Sequence, residues 1–287
     1  MTTAAAKVID LAAGAPGERL RRRFHDLHAA RRKGLIPFIT AGDPHADATV
    51  SLMHTLVEAG ADVLELGVPF TDPIADGPVI QRASERALAG GMCLATVITM
   101  VAEFRQRDRT TPVVLMGYLN PVEAMGPEDF ARCAAEAGVD AVLMVDVPPE
   151  EATLLAEVVR ARGLEMIFLV APTTTAARRD RICAIAGGFI YYVGLKGVTG
   201  SLHLDVEEVA PSVRDLRTRT RLPIAVGFGI RDAATATEAA KLGDAVVVGS
   251  ALVECMEQAA DAPRDRLCRR VAAFAADLRG ALDQSCR

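Results

Sequence analysis

The chain has 287 residues, half of them hydrophobic, with 37 Asp and Glu against 32 Lys and Arg and a net charge of −5. That length suits one large core or two small ones, and the acidic balance argues against a nucleic-acid partner, which demands a basic face. Six scattered cysteines without a CxxC pair read as reduced thiols rather than a zinc site, and the lack of any long apolar run makes the cytoplasm the expected location.

Residues 1–16, rich in Ala and other small side chains, are expected as a loosely packed extension ahead of one domain over 17–287. An Arg-rich helix follows over residues 17–33. Eight short apolar runs then alternate with longer amphipathic stretches: Leu35–Thr40, Val63–Gly67, Val113–Gly117, Ala141–Val145, Met166–Val170, Phe189–Val193, Ile224–Phe228 and Ala245–Gly249. Runs of this kind are parallel strands covered on both faces. Helical patterns lie between them, among them Asp47–Ala59, Glu128–Ala137, Pro149–Arg162, Thr175–Ala186, Asp232–Leu242 and Arg264–Leu282. Several are closed by a glycine (Gly60, Gly138, Gly163, Gly187, Gly243) where a left-handed residue ends a helix. Eight such units over roughly 250 residues predict an α/β fold, a (β/α)8 TIM barrel with an additional N-terminal helix. An open doubly wound sheet is the alternative, disfavoured because no GxGxxG opens the first βα turn.

A barrel of this type does its chemistry at the C-terminal ends of its strands. Glu65 sits inside the second run, with Val63 and Gly67 on its own face and Leu64 and Leu66 on the other. The two Leu suit the helix-facing side, so the carboxyl is expected inside the barrel, where desolvation raises its pKa and suits it to donate a proton near neutrality. A Glu bonded to a neighbouring loop is the alternative. Asp72 and Asp76 follow in a loop stiffened by Pro69, Pro73 and Pro78. Each is a candidate for function, and each also suits an ordinary turn or helix start. After the last three strands come glycine-bearing segments, Gly197–Ser201, Gly227-Phe228-Gly229 and Gly249-Ser250, placed where barrels often hold a phosphate.

Carbon–carbon cleavage in barrels commonly uses a Schiff-base lysine or a metal as electron sink. The four lysines (Lys7, Lys33, Lys196, Lys241) all fall outside the strands, and of the five histidines only His45 and His203 fall in loops at the useful end. No metal site is expected. Carboxylate acid–base chemistry remains, on a substrate that is its own electron sink.

Leu64–Gln81 resembles the signature of the tryptophan synthase alpha subunit family, as do Ile36–Pro44, Met116–Pro121, Asp140–Pro148, Gly197–Gly200, Val226–Ile230 and Val248–Ala251, in the same order. The resemblance implies a lyase that splits indole-3-glycerol phosphate by retro-aldol cleavage into indole and glyceraldehyde 3-phosphate, in tryptophan biosynthesis. It further implies no cofactor in this chain and a beta subunit partner carrying pyridoxal phosphate in an αββα complex. By the family's motifs Glu65 and Asp76 are catalytic, Glu65 moving protons at C3 of the indole and at the glycerol hydroxyl, and Asp76 holding the ring N–H. Gly200, Gly229, Gly249 and Ser250 hold the phosphate. Phe38, Leu115 or Met116, Tyr118, Leu143 and Tyr191 enclose the indole, while Asp72 and Thr199 serve loop closure or partner contact. Gly194-Leu195-Lys196 departs from the family's pattern, which commonly has Ser and often Arg there. Competing readings are a stand-alone indole-releasing lyase, a catalytically dead regulatory module, and a sugar-phosphate isomerase on the same barrel.

Overall fold

Short apolar runs with period-two alternation pair edge to edge in this protein, giving nine parallel strand segments in a computed structural model that describes residues 16–194, 206–227 and 229–285. They are β1 (Gly34–Thr40), β2 (Leu64–Gly67), β3 (Val113–Gly117), β4 (Ala141–Met144), β5 (Glu165–Met166), β6 (Phe168–Val170), β7 (Ile190–Val193), β8 (Ile224–Gly227) and β9 (Ala245–Val248). Their order is β5-β4-β3-β2-β1-β9-β8-β7-β6. β5 and β6 are two parts of one strand, because the intervening Ile167 donates its amide to Val142 O at 2.9 Å. The fifth strand thus pairs with β4 on one side and β7 on the other, which closes the expected eight-position barrel. Apart from Pro16, the expected N-terminal extension lies outside the described residues.

Twelve helices run through and around this sheet in the described residues. The first six are α1 (Glu18–Ala29), α2 (Thr49–Glu58), α3 (Pro78–Ala89), α4 (Leu94–Phe104), α5 (Leu119–Met125) and α6 (Pro127–Ala137). The rest are α7 (Thr153–Arg160), α8 (Ala176–Ile185), α9 (Val206–Arg219), α10 (Ala233–Ala240), α11 (Ser250–Glu257) and α12 (Arg264–Gln284). The helix expected from Pro149 begins only at Thr153, since Pro148 and Glu151 first close a turn. Of the five helix-ending glycines, Gly60, Gly138 and Gly163 have positive φ, whereas Gly187 and Gly243 do not. Close approach explains Gly243: a Cβ there would stand 2.7 Å from Ile224 O.

Strand alternation sorts the core into two layers. Leu64, Leu66, Val113, Leu115 and Val142 face the helices, while Val63, Val114, Ala141, Leu143 and Ala225 fill the barrel. Leu20, Phe24 and Leu27 of α1 join the inner set, so this amphipathic helix plugs the N-terminal end of the barrel and the opposite end stays open for chemistry. The plug is pinned by the buried carboxylate of Asp140, which accepts from Arg19 Nε at 2.8 Å, Arg105 Nη2 at 2.9 Å and the Val113 amide at 2.9 Å. Removing one partner of such a cluster strands the other charges in the core, so Asp140→Ala should lower unfolding stability by about 3–5 kcal/mol. Urea denaturation checks this, and a loss below about 1 kcal/mol, the range of an exposed ion pair, would show that the cluster does not hold the plug.

Candidate active site

The mouth is shaped by what its inward-facing positions lack. β2, β8 and β9 each present a glycine at or just past the strand end (Gly67, Gly227 and Gly249), on the same face as Glu65, Ala225 and Val247 respectively. Large rings occupy the room. A Cβ at Gly67 would come within 2.5 Å of Phe38 Cζ, and one at Gly227 within 2.6 Å of the Tyr191 hydroxyl. Phe38 also rests over Gly249, so one ring spans the ends of β2 and β9.

Below this opening lies Glu65, in register with Phe38 of β1 and Val114 of β3 and only 1 % exposed. Neither carboxyl oxygen has a hydrogen-bond partner among the described residues. Burial alone pushes its pKa up to about 8, so the group holds its proton at neutral pH. Across the barrel, the Tyr191 hydroxyl is driven well above the ordinary tyrosine range, by its own burial first and then by the proximity of Glu65. The expected inward direction of Glu65 therefore matches the fold, and no described loop bonds it.

Asp76 approaches from the other side. Its loop leaves β2 and doubles back, the Asp76 amide donating to Pro73 O at 3.0 Å and Gln81 Nε2 to Asp76 O at 2.8 Å. The Ala75 amide donates to the Tyr118 hydroxyl at 3.0 Å, and the Asp76 carboxylate lies near the same hydroxyl. Burial raises the Asp76 pKa, and the neighbouring Tyr118 hydroxyl offsets part of the rise. Phe70 stacks on Tyr118 with ring centroids 5.1 Å apart, which holds the loop over the mouth. Asp72, by contrast, points into solvent and accepts from Thr71 Oγ1 at 2.5 Å. Ile74 beside it is 85 % exposed.

The cavity is lined by Phe38, Thr40, Gly67, Val68, Asp76, Ile80, Ser84, Met116, Gly117, Tyr118 and Val145. Of the expected enclosing residues, Phe38, Met116 and Tyr118 are there. Leu115 is not: in a strand only alternate residues face inward, Met116 takes that side, and Leu115 packs among the helices. Leu143 and Tyr191 face inward but belong to the inner cluster, not to this lining; Val145, two residues beyond Leu143, takes the lining position. Sequence reading missed Thr40, Ile80, Ser84 and Val145. Thr40 and Val145 carried the same alternation signal as Phe38 and Leu143, whereas Ile80 and Ser84 come from α3, whose inward face only packing defines.

On the far side, Gly229 has φ +61° and Gly249 precedes α11, whose N-terminus has no side-chain cap. Uncapped amides at a helix start form an anion site, and Ser250 is the first residue of that helix. Gly200 and Thr199 lie outside the described residues. Among the described residues no three His, Cys, Asp or Glu side chains gather as metal ligands would. No single described helix is long and apolar enough to cross a membrane.

The family described as "Tryptophan synthase alpha chain" matches residues 24–282. The tryptophan synthase alpha chain of Laribacter hongkongensis is 59% identical over 265 residues, covering 92% of this chain and 99% of that protein. Its counterpart in Ralstonia nicotianae is 56% identical with the same coverage of 92% and 99%. The crystal structure of tryptophan synthase subunit alpha from Legionella pneumophila superposes with a TM-score of 0.87 at 45% identity, covering 93% of this chain and 98% of that one.

A carboxyl with a raised pKa binds its proton more tightly folded than unfolded, so the native protein loses stability as pH climbs from 4.5 toward about 8. Glu65→Gln has no proton to lose. Its unfolding free energy relative to the native chain should therefore rise by about 1.4 kcal/mol per pH unit across that window. Urea titrations at several pH values check this; a pH-independent difference would mean that Glu65 ionises freely.

Proposed function

The chain belongs to the tryptophan synthase alpha chain family, and from that membership we propose which of its residues carry the reaction. The chain is a carbon–carbon lyase that cleaves indole-3-glycerol phosphate to indole and glyceraldehyde 3-phosphate, as the alpha subunit in tryptophan biosynthesis. One observation supports the assignment of its acid: among the described residues Glu65 is the only carboxyl inside the barrel mouth with no hydrogen-bond partner on either oxygen, and it is protonated at neutral pH.

Protonated Glu65 delivers its proton to C3 of the indole, and the positive charge moves onto the ring nitrogen. Asp76 accepts the ring N–H and stabilises that charge, its loop anchored to the Tyr118 hydroxyl through the Ala75 amide. Glu65, now ionised, takes the proton of the adjacent glycerol hydroxyl. The O–H electrons form the aldehyde carbonyl, the carbon–carbon bond breaks, and its electrons return to the ring. The ring is its own sink, so the chain needs no cofactor of its own. Phe38, Met116 and Tyr118 enclose the indole with Thr40, Ile80 and Val145. The phosphate rests on the amides of Gly229, Gly249 and Ser250, completed by Gly200; Thr199 and Asp72 serve closure and partner contact. The partner is a beta subunit bearing pyridoxal phosphate in an αββα complex, and the setting is the cytoplasm. Family membership favours this role over that of a stand-alone lyase.

Glu65→Gln should lower turnover by on the order of 10²–10⁴ or more with substrate affinity nearly intact; steady-state indole release with and without a beta subunit measures it, and undiminished turnover would refute the assignment. Ser250→Asp should leave stability unchanged or raised, because a carboxylate suits a helix start. The same change should weaken phosphate-bearing ligands by about tenfold or more, through repulsion in a small site. Calorimetric titration with glycerol phosphate decides it, and unchanged affinity would place the anion elsewhere.

A further inference from the structure

A four-charge network stands beside the site without entering the chemistry. Asp43, in the loop after β1, is 0 % exposed, and its Oδ1 accepts from Arg86 Nε at 2.7 Å. Arg86 Nη1 donates onward to Glu257 Oε1 at 2.7 Å. Arg82, one turn earlier on the same face of α3, grips that carboxylate with two bonds of 2.9 Å. An isolated exposed ion pair is worth little. Here the chain of bonds starts from a carboxylate sealed from water, so loosening one member leaves buried charge without a partner.

The elements joined in this way frame the mouth. α3 begins directly after the Asp76 loop and contributes Ile80 and Ser84 to the cavity, whereas α11 begins at Gly249-Ser250. Between the two helices Phe38 packs against Ala83 of α3 and Val253 of α11. Glu257 is the last residue of α11, so the network ties that helix to the middle of α3. We infer that Asp43, Arg82, Arg86 and Glu257 form a spacer that fixes the separation between the Asp76 loop and the N-terminus of α11. Arg82 and Glu257 are then positioning residues that match the site to the distance between the ring and the phosphate of one substrate. This rests on the placement of the ring at Asp76 and the phosphate at α11. A ligand that fills both ends at once feels the spacing; one that fills a single end does not.

The experiment compares three probes on the full chain: indole, glycerol phosphate, and a non-cleavable indolyl-alkyl phosphate. Glu257→Gln removes the charge and keeps the shape. Affinity for the two-ended probe should fall about tenfold, while the single-ended probes change by less than about twofold, since misplacement penalises only simultaneous engagement. Arg82→Gln, on a half-exposed side chain, should act in the same direction and serves if the first variant fails to fold. Combining the two substitutions should cost little more than either alone, as expected of members of one network. Equal losses for all three probes, or none for the two-ended probe, would overturn the spacer. If the native chain binds the two single-ended probes but not the two-ended one, the placement of ring and phosphate is wrong, and the spacer falls with it.

Discussion

A carboxyl group stripped of water and given no compensating charge keeps its proton, and the active end of this molecule is organised around that fact. Among the described residues Glu65 has no Lys, no Arg and no backbone amide to stabilise its ionised form. The surrounding barrel supplies the dryness: aliphatic residues fill the interior and α1 seals the far end. Elsewhere the same fold buries acids with the opposite provision. Asp140 and Asp43 each meet a guanidinium, and both serve architecture. Two kinds of buried acid, one partnered and one abandoned, thus separate structure from chemistry within a single chain.

Room for a substrate comes from the same economy of side chains. Inward glycines at the ends of β2, β8 and β9 leave bare backbone, and the ring edges of Phe38 and Tyr191 take the space over Gly67 and Gly227. Asp76 is brought over this mouth by a loop whose Ala75 amide binds the Tyr118 hydroxyl, and its carboxylate lies beside the same phenol. The two acids have different environments, which suit them to the different tasks proposed for them. One is fully enclosed and protonated; the other is half-buried, hydrogen-bonded and suited to face a developing positive charge.

Much of this was legible in the sequence, because strand alternation is a strong local signal. Val63, Glu65 and Gly67 against Leu64 and Leu66 already divided inside from outside, and the coordinates place them so. The same rule, once the register of β3 against β2 is fixed, decides between Leu115 and Met116 in favour of Met116. What local pattern does not carry is depth. Leu143 and Tyr191 face inward as their periodicity requires, yet they lie in the inner cluster, outside the lining, because height along the barrel axis depends on stagger between strands. Ile80 and Ser84 were illegible for a related reason, since the face that a helix turns toward a pocket is set by its packing on other helices. Gly187 and Gly243 looked like helix terminators but lack the positive φ of one, and Gly243 proved to be a place where the backbone of β8 comes too close for a Cβ.

The most direct measurement is the titration of the Glu65 carboxyl itself. In protein labelled with carboxyl-13C glutamate, the resonance absent from Glu65→Gln identifies the group, and its chemical shift against pH gives the ionisation directly. A midpoint near 8 is expected, far above the ordinary 4.5. A midpoint at or below that ordinary value would mean that the group is charged at neutral pH, and the barrel mouth would hold no acid to begin the reaction.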